Sequence, residues 1–121
     1  TLSEHRGRVI VLNTWTITCG PCMEEMPSLI DLAHIVQGRD DIELVTISVD
    51  QDWPAVRTAV PQDSALTVLL DPERSVVTEL FGTRQYPETW IIDRDGVIRL
   101  RIDGPRDWSS ALALNVVETY L

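Results

Sequence analysis

Both cysteines of this chain stand together, as Cys19-Gly20-Pro21-Cys22. An apolar, β-branched run precedes them and an amphipathic stretch follows, so the pair falls at a strand-to-helix junction. A bridge across so short a loop removes little entropy from the unfolded chain and cannot staple distant parts of a fold. The pair therefore reads as a redox centre. The first turn of a helix leaves backbone N–H groups free, and with the helix dipole these favour negative charge. Cys19 is expected to be the exposed thiolate nucleophile. Cys22, one turn on, can close onto its sulfur. Zinc is the competing use of such a pair. Cys19-x2-Cys22-x11-His34 begins like a finger, but Gly38, Arg39 and Asp40 stand where a second histidine should follow. We expect no metal and no cofactor beyond the cysteine pair, and His5 and His34 carry no motif.

The rest of the chain alternates strands with helices. Arg8 to Trp15 reads as a buried strand. Pro21 suits an early helical position, and the apolar positions from Cys22 to Val36 recur at helical spacing. Gly38 is the expected stop, and Pro27 is expected to kink this helix. Ile42 to Val49 is a second strand. Asp52 should cap a short helix reaching Val60, with Pro54 in its first turn. Leu66 to Leu70 is a third strand. Asp71-Pro72-Glu73 has the form of a helix start, predicting a helix to about Phe81 that Gly82 ends. Thr89 to Asp93 and Val97 to Ile102 are two strands joined by an Asp-Gly hairpin signal. Asp107 is the expected cap of a last helix ending near Leu121. Three strand-helix units predict parallel strands and the hairpin adds an antiparallel pair. The expected fold is α/β, a mixed five-stranded sheet flanked by helices on both faces, in one domain spanning 1–121.

The net charge of −9 argues against nucleic acid as a partner, since phosphate would be repelled. The longest purely aliphatic run, Val9 to Leu12, is far short of the roughly 18 residues of a membrane span.

Taken together, Val-Ile-Val-Leu-Asn-Thr-Trp, Cys-Gly-Pro-Cys, Glu-Glu-Met-Pro, Ser-Val-Asp, Leu-Leu-Asp-Pro and Tyr-Pro-Glu-Thr-Trp-Ile-Ile-Asp-Arg-Asp-Gly make the chain resemble the thioredoxin superfamily. The likeness runs from about Gly7 to the C-terminus and is greatest to the TlpA/ResA/CcmG-like branch of thiol-disulfide oxidoreductases. It implies a thioredoxin-like fold and a cis proline at Pro87 that presents the Tyr86 backbone to substrate. It implies that Glu25 moves a proton for Cys22, the more so because Asn13 stands where cytosolic thioredoxins keep an aspartate. It places Glu88 after the proline, either as a residue that tunes the site or meets partners, or as an exposed strand-start acid. Thr18 is a departure, since the family usually has Trp immediately before the first cysteine; the contact surface beside Cys19 is thereby changed. Trp53, Trp90 and Trp108 are expected in packing roles. The implied partners are disulfide-containing proteins, apocytochrome c among them, with a membrane thiol reductant as electron donor. The implied location is extracytoplasmic, with a signal or anchor upstream, and the expected state is a monomer.

Two other functions fit parts of the sequence. Thr16-Ile17-Thr18-Cys19 matches the Thr-x-x-Cys of peroxiredoxins, but those enzymes need a proline where this chain has Leu12, so peroxidase and antioxidant activity is not expected. A redox-linked binding or chaperone module would use the pair only to switch partner affinity.

Overall fold

Strand β1 (Val9–Trp15) is buried along its whole length and forms the centre of a mixed sheet. On one side it pairs in parallel with β2 (Ile42–Ser48), which pairs in parallel with β3 (Thr67–Leu70). On the other it pairs antiparallel with β4 (Glu88–Ile92), which carries β5 (Ile98–Asp103) at the far edge. In the order β3-β2-β1-β4-β5 the crossover units supply β1-β2-β3, the Asp93–Gly96 hairpin supplies β4-β5, and the antiparallel pairing of β1 with β4 joins them. The structure is a computed structural model and describes residues 7–80, 82 and 85–121. His5 and Phe81, the expected end of the third helical segment, lie outside the described residues.

Alternate residues of β1 feed two cores. Val9, Val11 and Trp15 pack with helix α1 (Gly20–Val36), with Val56 of α2 (Trp53–Arg57) and with Val117 of α3 (Ala111–Glu118). Each fully buried aliphatic side chain here contributes about 1.5–3 kcal/mol. Ile10 and Leu12 point to the opposite face, where Val45, Ile47, Trp90 and Val77 complete the second core.

Helix α1 begins as its sequence dictates. Cys19 is its N-cap, in extended conformation, and its Sγ accepts from the Cys22 N–H at 3.1 Å. Pro21 lies in the first turn, where its lack of a donor costs nothing, and the helix runs on through Pro27 to Val36. Gly38, at φ +84, turns the chain away in a conformation that favours glycine. Asp52 caps α2 as expected, its carboxylate accepting from Ala55 N at 3.0 Å, but the helix stops at Arg57.

Two helix starts differ from the expectation. No helix begins at Pro72. The Asp71 carboxylate instead gathers the N–H groups of Ser75, Val76 and Val77 at 2.8 to 3.0 Å. Arg74, at φ +61, breaks the turn between them, and a π-helical turn over Ser75–Leu80 replaces the expected α-helix. Likewise Asp107 does not cap α3. It accepts from Ser109 within its own turn, and Ser110 is the N-cap, taking the Ala113 N–H at 3.1 Å.

Candidate active site

Cys19 and Cys22 are disulfide-bonded, with Cα atoms 5.2 Å apart. Their surroundings differ sharply. Cys19 is half-buried at the helix tip, and Cys22 is fully enclosed in the first core. An incoming group can reach the first sulfur and not the second. The first turn of α1 carries no acidic residue, so its N–H groups and dipole act unopposed from within that turn.

The Tyr86–Pro87 peptide is cis, as the resemblance implies, and the Tyr86 carbonyl oxygen lies 3.4 Å from Cys19 Sγ. Pro87 is buried, while Tyr86 is half-buried with the Arg74 guanidinium 5.8 Å over its ring. Thr18 is exposed beside Cys19. The structure thus brings Thr18, Cys19, Tyr86 and Pro87 to one end of the sheet.

Glu25 is buried on the same helix as Cys22, one turn on. Its Oε1 accepts from Asn13 Nδ2 at 2.9 Å; its Oε2 accepts from the Arg106 N–H at 2.8 Å and from Trp108 Nε1 at 2.9 Å. Burial raises its pKa above the ordinary 4.5 against the opposing pull of these three donors. Asn13 Nδ2 also donates to Thr89 Oγ1 at 2.8 Å, so β1, β4, α1 and the segment before α3 meet at this carboxyl. A cavity of about 450 Å³, lined by Glu24, Glu25, Ser28, Asp31 and Arg106 among others, connects the group to the surface. Glu24 is exposed, as a solvated helix acid should be. Trp108 is packed as expected but also bonds directly to Glu25, a link 83 residues long in sequence that no local pattern announces.

Glu88 is buried, which removes the reading of an exposed strand-start acid. It lies on the opposite face of the sheet from Glu25, two residues before Trp90 of the second core, and it pairs across the ladder with Asp103. Arg101 Nη2 lies 3.2 Å from its Oε2. A hydrogen bond with Glu88 is the first cause holding the Asp103 carboxyl below its ordinary value.

Asp50 was not legible as a site residue. It is buried at the carboxyl end of β2, beside the segment that leads into Cys19. Its Oδ1 accepts from Thr16 Oγ1 at 2.7 Å, and both its oxygens lie 3.2 Å from the Ile17 N–H. A buried acid past the end of a parallel strand, next to the end of β1, is the signal that marks it.

No helix among the described residues is long and apolar enough to cross a membrane. The described residues also hold no group of three or more His, Cys, Asp and Glu placed to bind a metal.

A family model, the AhpC/TSA family, matches residues 1–101. The thiol-disulfide oxidoreductase ResA of Geobacillus thermodenitrificans is 26% identical over 103 residues, covering 85% of this chain and 59% of that protein. The thioredoxin-like protein YneN of Bacillus subtilis is 28% identical over 102 residues, covering 81% and 58%. The chain thus spans less than two-thirds of the length of these relatives. Among solved structures, a Chlorobium tepidum chain described as a thiol:disulfide interchange protein DsbE superposes with TM-score 0.78 at 25% identity, covering 99% of this chain and 85% of its own. The pneumococcal exposed lipoprotein thioredoxin from Streptococcus pneumoniae also gives 0.78, at 21% identity, over 98% and 89%. The fold is thioredoxin-like.

Proposed function

The chain belongs to the AhpC/TSA family, and from that premise we propose that it is a thiol-disulfide oxidoreductase that reduces disulfides in extracytoplasmic partner proteins. The observation that carries the reading is the asymmetry of the pair. Cys19 is reachable at a helix N-terminus beside the Tyr86 carbonyl, and Cys22 is enclosed behind it.

In the oxidised state the pair first takes two electrons and two protons from a dithiol donor, the class of a membrane thiol reductant. The Cys19 thiolate then attacks one sulfur of a partner disulfide and expels the other as thiolate. An extended partner segment lies against the Tyr86 backbone during this step, with Thr18 and Pro87 shaping the contact. Cys22, losing its proton to Glu25, attacks Cys19 Sγ in the mixed disulfide. The Cys19–Cys22 bond reforms and the partner leaves reduced. Glu25 suits this role because burial raises its pKa toward the working range, and the adjoining cavity lets the proton exchange with water. Glu88 acts from the other face, through Arg101 and Asp103, on the start of β4 that directly follows Pro87. Apocytochrome c is a substrate that the resemblance implies, and a monomer anchored or exported outside the cytoplasm is the form in which it would act.

Substituting Cys22→Ser should trap the mixed disulfide. Recovering no Cys19-linked partner or model peptide, under conditions where the unmodified protein turns over insulin, would sink the assignment. No turnover of insulin with a competent donor would favour the binding module instead. The peroxidase reading has the Thr-x-x-Cys spacing for it, but the Thr16 hydroxyl donates its hydrogen bond to Asp50, and Leu12 is buried within β1. Peroxide consumption far above that of a free thiol would restore it.

A further inference from the structure

We propose that Asp50 is a positioning residue for the redox pair, holding the segment that ends at Cys19 through the Thr16 hydroxyl and the Ile17 N–H.

The segment 16–18 leaves β1 and enters α1 with few other anchors. The last rung of the parallel pairing is the Val49 N–H to the Trp15 carbonyl, at 3.1 Å. Beyond it the chain makes one tight turn, with the Cys19 N–H donating to the Thr16 carbonyl at 3.1 Å. Thr18 is exposed and supplies no apolar anchor of its own. Ile17 packs partly against the first core, and the polar tie from the turn to the sheet is the Asp50 carboxylate, which takes the Thr16 hydroxyl at 2.7 Å and the Ile17 N–H at 3.2 Å. Asp50 is itself fixed from behind. Ser48 Oγ donates to its Oδ2 at 2.6 Å, and the Asp50 N–H donates back to Ser48 Oγ at 3.0 Å. Ser48 belongs to β2, whose end is also bonded to the Asp71 N–H at 2.8 Å. The sheet, Ser48, Asp50 and Thr16 therefore form one rigid path to the turn that carries the nucleophile. Support of this kind decides how closely a reacting group is held to its working geometry.

Two consequences have the same sign. Holding Cys19 in place keeps its sulfur near Cys22 and raises their effective concentration toward each other, which favours the disulfide. The buried Asp50 carboxylate beside that segment disfavours the Cys19 thiolate, and so the reduced form. Releasing the clamp should make the pair a stronger oxidant.

The inference rests on Cys19 and Cys22 being the working pair, and its test does not need a protein substrate. The equilibrium constant of the pair with glutathione would be measured for the unmodified protein and for Asp50→Asn, Thr16→Val and Thr16→Ser, each with its urea stability. For Asp50→Asn we expect a shift toward the dithiol of about tenfold, equal to about 30 mV for two electrons. Thr16→Val, which keeps the charge and removes one donor, should shift the same way by about threefold. Thr16→Ser should behave as the unmodified protein. Asp50→Asn and Thr16→Val both remaining within twofold of the unmodified protein, whatever their stability, would overturn the proposal. A shift in Thr16→Ser equal to that in Thr16→Val would overturn it too. If Asp50→Asn fails to fold, the two Thr16 variants decide. Lack of insulin turnover by the unmodified protein would refute the proposed function and leave this equilibrium measurement interpretable.

Discussion

Replacing Glu25 by Gln should separate folding stability from turnover. In the folded chain burial raises this carboxyl above 4.5, although Trp108, Arg106 and Asn13 all donate to it. Between 4.5 and the raised value the folded chain keeps a proton that the unfolded chain has released. Stability from this group is complete below 4.5 and is lost as pH rises through the folded value. The slope approaches about 1.4 kcal/mol per pH unit where the difference is one whole proton. Glutamine has no proton to lose, so the slope in that window should disappear. Its amide oxygen can still accept from the Arg106 N–H and Trp108 Nε1, now 2.8 and 2.9 Å from Oε2. Its NH2 faces Asn13, whose Oδ1 has no hydrogen-bond partner among the described residues and can turn to accept it. The variant should therefore be at least as stable as the unmodified protein at pH 8. Turnover should fall by about 100-fold, the usual scale for losing a general acid or base. Urea unfolding of the oxidised protein from pH 4 to 9, with insulin reduction at pH 7, reads both quantities. Parallel stability profiles for the two proteins, or full turnover in the variant, would refute the reasoning.

Three other perturbations follow from the structure. Asp71→Ala strips the acceptor from three consecutive N–H groups, and should cost about 2 kcal/mol or more in urea unfolding, with Asp71→Asn recovering part of it. Arg101→Met takes the cation from the buried Glu88 and should cost about 1–2 kcal/mol, less than a fully buried pair because Arg101 is more than half exposed. Adding Glu88→Gln should return most of that loss, which a double-mutant cycle measures. Thr18→Trp, at an exposed position, should change stability by less than about 0.5 kcal/mol while raising kcat/KM for insulin, since it restores an apolar contact surface beside Cys19.

How far the sequence could be read depended on whether a feature is local. The mixed sheet follows from two local signals, strand-helix alternation and the Asp95-Gly96 turn, while the pairing of β1 with β4 that puts β1 at the centre does not. The positions of Cys19 at the helix start and of Cys22 one turn on follow from spacing along a single helix, whereas Glu25 is singled out by the resemblance and spacing adds only that it shares a face with Cys22. The segment after Asp71 did not follow, because an acid before proline suits an α-helix cap and also a turn in which the acid gathers N–H groups four to six residues on. Glu88 was ambiguous because its burial is set by register against Asp103 and Arg101, on another strand. The contacts of Glu25 with Arg106 and Trp108, and of Asp50 with Thr16, join residues 81, 83 and 34 positions apart. Only the closed fold makes these neighbours.

The direction of the chemistry depends on opposing fields at one helix tip. The N-terminus of α1 favours the Cys19 thiolate, which stabilises the reduced pair and makes it a better oxidant. Buried acids oppose that preference. Asp50 reaches the segment beside Cys19, and Glu25 lies one turn beyond Cys22. The charge of Glu25 depends on pH in the window its burial opens. Where Glu25 holds its proton, its carboxyl adds no negative charge near the pair. Where Glu25 has lost it, a buried negative charge is added one turn from Cys22, and the dithiol is disfavoured further. The pair should thus become more strongly reducing with rising pH by more than the loss of its own thiol protons requires. In Glu25→Gln that excess should vanish, which would tie the direction of exchange to the same carboxyl proposed to take the Cys22 proton.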